Sequence, residues 1–143
     1  MGRTAEEMNM LEANKELVRR FYEVSTTPEC PGMSDIVTAD YHDHHFLPDL
    51  PKGPEGVRRW NEDVLASVFS DIRIEIDFMV AEGNKVDCHF ALVGKHTGDW
   101  GDIKAKGNAM RIPCISTFRI QDGKIAEGWE LFDSGDMLNQ MKA

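Results

Sequence analysis

The stretch MRIPCISTFRIQDGKIAEGWELFD, Met110 to Asp133, decides how this chain is read. Two runs rich in β-branched and aromatic residues flank Asp122-Gly123, the strongest short-range signal for a β-hairpin. The loop then sets the register. With Asp122-Gly123 alone as the loop, Ile115 sits opposite Glu130 and Ser116 faces the other way. With Gln121-Asp122-Gly123 as the loop and Gly123 left-handed, Cys114 sits opposite Glu130. The second register is expected, because it places Ile112, Cys114, Ser116, Phe118 and Phe132 on one mostly apolar face. Glu130 is the one acid on that face. A carboxylate in such surroundings is costly to ionise, so its pKa rises toward the range a general acid/base needs. The competing reading puts Glu130 at a solvated strand edge, the commoner place for a Glu.

Upstream, Thr4 followed by Glu7 forms a capping box. Leu11, Leu17, Val18, Phe21 and Tyr22 recur at helical spacing and predict an amphipathic helix from about Ala5 to Val24. Pro28 and Pro31 mark a loop, and Ser34 caps a short helix through Val37. The extended run Ala39-Asp40-Tyr41-His42-Asp43-His44-His45 is bounded by Pro48 and Pro51. Gly53-Pro54 opens a further helix, with Val57, Trp60, Val64 and Val68 as its buried stripe, to about Phe69. The period then changes to two. Ile72, Ile74, Ile76, Phe78 and Val80 alternate with polar residues, as in a strand with one wet face. Val86 to Lys95 reads as the next strand, and a short helix carrying Met137, Leu138 and Met141 closes the chain. Helices first and a meander of antiparallel strands after them predict an α+β fold. A strongly curved sheet wrapped on the long helix would leave a concave pocket, for which Trp60, Phe69, Phe90, Phe118 and Phe132 supply aromatic walls.

The length, 143 residues, suits one domain. The net charge of −9 argues against a nucleic-acid partner and against an anionic membrane surface. Cys30, Cys88 and Cys114 are odd in number and form no CxxC pair, which suggests reduced thiols in a cytoplasmic protein. No apolar run approaches the roughly 20 residues of a membrane span, and the N-terminus lacks an apolar signal core.

The segments NKELVRRFYE, ADYHDHH, GPEGVRRW, VGKHTGDWGDI, STFRIQDGKIAEGWELFD and MLNQMKA, in that order and spacing, resemble the SnoaL-like polyketide (ester) cyclases. These belong to the nuclear-transport-factor-2-like superfamily, and the resemblance runs from about Asn14 to the C-terminus. It implies a single cone-shaped domain over 1–143: a strongly curved antiparallel sheet wrapped on the N-terminal helix, with a deep pocket. It also implies a homodimer and cofactor-free chemistry, such as intramolecular ring closure by proton transfer. The family's acid on the last long strand matches Glu130, where the family carries Asp. Its His on the preceding strand matches Ser116, and its Asn after the early Tyr matches Asp43. Lys104-Ala105-Lys106-Gly107-Asn108 stands where the family carries Pro-Thr-Gly.

The expected site therefore places Glu130, His44 and Asp43 in catalysis. Trp60, Phe69, His89, Phe90, Cys114, Ser116, Phe118 and Phe132 are the expected pocket. His44 is a proton shuttle oriented by a carboxylate, with a satisfied structural histidine as the competing role. Asp43 orients that His or acts as a second acid, its competing role being an Asx turn. Strand periodicity leaves the face of His89 open. No metal is expected from His42 to His45, because consecutive residues seldom converge on one ion. The expected function is a cofactor-independent cyclase, lyase or isomerase acting on a hydrophobic, carbonyl-bearing small molecule. The alternatives are epoxide hydrolysis or hydration, which needs two cooperating carboxylates, and non-catalytic ligand binding.

Overall fold

The long N-terminal helix α1 (Ala5–Ser25) starts where the capping box places it, the Glu7 N–H donating to Thr4 Oγ1 at 3.1 Å. Its buried stripe includes Leu11, Val18, Phe21 and Tyr22, the side chains its spacing selects. This computed structural model describes residues 2–45 and 49–143. Pro48, one of the prolines expected to bound the histidine run, lies outside the described residues. After a single 3₁₀ turn, Met33–Asp35, where a longer helix through Val37 was expected, the chain enters strand β1 (Val37–Asp43). Pro54 opens α2 (Pro54–Arg59), which widens into a π turn at Trp60–Leu65 and closes as α3 (Ala66–Val68). Strands β2 (Phe69–Glu82), β3 (Lys85–His96), β4 (Ala109–Gln121) and β5 (Lys124–Phe132) follow, and α4 (Ser134–Lys142) ends the chain.

The fold is α+β, with a five-stranded, curved and unclosed sheet in the order β1-β5-β4-β3-β2. The β2 to β5 meander is antiparallel, while β1 joins the edge of β5 in parallel. α1 lies across the inner face. The core there packs Phe21, Tyr22, Tyr41, Phe90 and Phe118 with Val18, Val86 and Ile125, and the Phe21 and Phe118 rings sit 5.2 Å apart. A second cluster, Val68, Phe69, Leu92, Met110, Ile112, Met137 and Met141, lies beneath α4.

Two bulges correct the sequence reading. In the last hairpin Asp122 (φ 52°) and Gly123 (φ 78°) form a two-residue loop with both residues left-handed, and Gln121 pairs with Lys124. Ala126 is then an extra residue between the pairs Ile120–Ile125 and Arg119–Glu127. Glu130 consequently lies opposite Ser116, and Cys114 opposite Phe132, not Glu130 as expected. The displacement is two positions, an even number, so the predicted face survives while the predicted partners do not. In β2 the register breaks between Ile76 and Phe78. Phe78 and Val80 thereby turn outward, 48% and 58% exposed, and Met79 and Ala81 take the inner positions.

Candidate active site

Curvature leaves a cavity of about 350 Å³ between the inner face, the end of α1 and the Pro54–Val68 segment. Its walls are overwhelmingly apolar. Trp60, Phe69, Phe90, Cys114 and Phe132 line it as expected, together with Leu65, Leu92 and Ile112. Glu130 is half-buried and opens on this cavity. The Tyr22 hydroxyl lies 2.8 Å from Glu130 Oε1 and 2.8 Å from Ser116 Oγ. That hydroxyl has one proton, so it donates to one neighbour and accepts from the other. With Glu130 ionised it donates to the carboxylate. Ser116, fully buried, supports this tyrosine from behind and does not line the cavity.

Asp43 is buried and within hydrogen-bonding reach of Glu130. The parallel register of β1 on β5, Asp43 beside Gly128, brings the two acids together from residues far apart in sequence. Asp43 Oδ1 accepts the His45 N–H at 2.9 Å, an Asx turn, and Oδ2 accepts the Tyr41 hydroxyl at 3.3 Å. The Asx turn expected as its competing role is thus present in this side chain. Burial, and then the neighbouring Asp43 charge, push Glu130 up to about 8. Burial also raises Asp43, against the lowering effect of its backbone and tyrosine donors. Glu130 therefore keeps its proton near neutral pH while remaining able to lose it, the condition for acid/base work. Burial raises the Cys114 thiol to about 12, which keeps that wall residue a neutral surface.

Besides Ser116, three more of the expected site residues lie away from the cavity. His44 projects to the outer face, its ring stacked on Trp129 at 4.8 Å and its Nε2 2.6 Å from Glu127 Oε2. His89 also faces outward, stacked at 4.2 Å on the Phe78 ring that the β2 bulge turned out. Phe118 is wholly buried beneath α1 and belongs to the core, not the cavity wall. Among the described residues no group of three or more His, Cys, Asp or Glu side chains is placed to hold a metal ion. No helix of the described residues is long and apolar enough to cross a membrane.

Tyr22, Tyr41 and His45 are the site residues that sequence reasoning passed over. The tyrosines carried a signal: a Tyr in a buried stripe needs a partner for its hydroxyl, and a buried acid is such a partner. His45 is exposed and lines the cavity mouth. Its placement depends on the pairing of β1 with β5, which no local pattern announces.

Comparison with known proteins agrees with this architecture. IdmH from Streptomyces antibioticus, a proposed polyketide cyclase, superposes with a TM-score of 0.78 at 20% identity, over 91% of this chain and 99% of its own. A proposed polyketide cyclase from Bacillus cereus ATCC 10987 gives 0.71 at 25% identity, over 91% of this chain and 80% of its own. A protein from Catenulispora acidiphila with a ketosteroid isomerase-like fold gives 0.66 at 18% identity, over 89% of this chain and 92% of its own. No curated protein matches the chain. The family model of the SnoaL-like polyketide cyclases matches residues 15–141, nearly the whole sequence, and the chain belongs to that family.

Proposed function

We propose that this protein is a cofactor-independent enzyme of cyclase, lyase or isomerase type, moving a proton with Glu130 on a hydrophobic, carbonyl-bearing, polyketide-like molecule. One observation carries the reading. The Glu130 carboxyl opens on a mostly apolar cavity, beside Tyr22 and Asp43, with its proton affinity raised to near neutrality. The apolar wall takes the ring system, and Glu130 removes a proton beside the carbonyl and returns it after the bond rearrangement. Asp43 controls when Glu130 is charged. His44, on the outer face, takes no part. Changing Glu130 to Gln keeps the shape and the Tyr22 contact but removes the proton carrier. Turnover, or α-proton exchange of a cyclic ketone, should fall at least about 100-fold, with the melting temperature within a few degrees of wild type. Activity that survives this change would refute the reading.

A second reading, epoxide hydrolysis or hydration by an activated water, is favoured by one specific observation: a second acid, the buried Asp43, acts on Glu130 from behind the cavity wall. Incorporation of oxygen from labelled water into product separates the two. We also propose a homodimer. Phe78, His89, Ile115 and Leu131 pair side by side across four strands, forming an exposed row on the outer face. Leu131→Asp should halve the mass measured by light scattering. The free thiols of Cys30, Cys88 and Cys114 suit the reducing cytoplasm that we propose as the compartment.

A further inference from the structure

β1 and β5 run in parallel with Asp43 beside Gly128. Two residues further on each chain lie His45 and Glu130. β1 ends at Asp43, and the Asx turn that follows carries His45 onward, so that His45 and Glu130 line the same cavity. The His45 N–H is bound to Asp43 Oδ1 at 2.9 Å, which fixes its backbone against the partner of Glu130. It is the one imidazole on the wall among the described residues, and no Lys or Arg lines the cavity there. His44, one residue away, is committed to Trp129 and Glu127 on the other face.

We propose that His45 is a further catalytic residue, the ring N–H that meets the substrate's carbonyl oxygen while Glu130 exchanges a proton with the adjacent carbon. The inference rests on the proton-transfer reading given above. The C–H bond breaks and its hydrogen passes to the Glu130 carboxylate. The bonding pair becomes the new C=C bond, and the carbonyl π pair moves to oxygen. That oxygen then carries the developing charge, and it needs a hydrogen-bond donor in a mostly apolar cavity. Glu130 returns the proton to carbon and the electrons flow back. His45 changes no bond order; it stabilises the oxygen.

Hydrogen–deuterium exchange of 2-tetralone in D₂O, followed by NMR, reads this step without the native substrate. His45→Phe keeps a ring but loses the donor, and exchange should fall about 100-fold. His45→Gln retains an N–H and should fall less. His44→Phe should stay within twofold of wild type. Exchange by Glu130→Gln at the wild-type rate, or none by wild type above buffer, overturns the proton-transfer reading and this inference with it. A dead Glu130→Gln beside a His45→Phe within twofold of wild type overturns the role of His45 alone. A second measurement is independent of turnover. 2-Naphthol, a phenol that mimics the enol, should shift the ring nitrogen resonances of His45 in ¹⁵N-histidine-labelled protein and leave those of His44 in place. An unmoved His45 in saturated protein also overturns the assignment.

Discussion

Glu127 and Glu130 stand three residues apart on β5 and meet opposite conditions. An odd separation on a strand puts them on opposite faces of the sheet. Glu127 is on the outside, where Arg119 Nε donates to it at 2.8 Å and His44 Nε2 approaches it at 2.6 Å. Those partners, Arg119 foremost, hold its carboxyl below the usual range. Glu130 is on the inside, where burial and the acid Asp43 push it up to about 8. The same side chain thus gives up its proton more readily on one face and holds it more tightly on the other. Gly128 lies between them, inside, and its missing side chain makes the arrangement possible. A Cβ there would come within 2.6 Å of the Tyr41 hydroxyl and 3.0 Å of the Phe118 ring. The comparison teaches that proton affinity here is set by face and company, not by residue type.

The contrast can be broken most severely at its midpoint. Gly128→Ala should displace Tyr41 and Phe118 and destabilise the protein by about 1–3 kcal/mol, read by denaturant titration. A change below about half a kcal/mol would mean that the inner face adapts more freely than its packing suggests.

The next effect lies in the pH dependence. Glu130 binds its proton more tightly folded than unfolded, so its favourable contribution is complete below about pH 4.5. That contribution is lost as pH rises toward 8. Glu127 has the opposite sign, contributing above its unfolded pKa and losing that contribution as pH falls through the lower folded value. Glu130→Gln should therefore melt close to wild type at pH 5 and above it, by roughly 3 °C or more, at pH 8.5. A melting difference that does not grow with pH would remove the buried proton from this account.

The smallest effect sharpens the contrast from the other side. Glu127→Gln loses a partly exposed ion pair and should cost less than about 1 kcal/mol, leaving α-proton exchange within twofold of wild type. A large loss of exchange in this variant would mean that the two faces communicate.

Much of this fold is legible along the chain. Thr4 and Glu7 announce the start of α1, the spacing of Leu11, Val18, Phe21 and Tyr22 selects its buried stripe, and Asp122-Gly123 marks the hairpin. These signals are local: caps, periods and turn conformations act within a few residues. Bulges do not announce themselves this way. The two-residue loop and the extra residue at Ala126 together moved the partner of Glu130 from the expected Cys114 to Ser116, and the break after Ile76 turned Phe78 outward. Each costs one residue of pairing, and its compensation comes from packing elsewhere in the sheet.

The candidate site divides along the same line. Its acid could be found in the sequence, because a lone Glu among alternating apolar residues is a local anomaly. Its neighbours could not. Asp43, His44 and His45 form one run in the chain, yet the first is buried beside Glu130, the second lies outside and the third faces the cavity. The sequence by itself determined the elements, the polarity of their faces and the acid at position 130, since these follow from nearest-neighbour chemistry. Only the tertiary structure decided which acid, tyrosine and histidine surround it, since the parallel docking of β1 on β5 joins segments more than eighty residues apart.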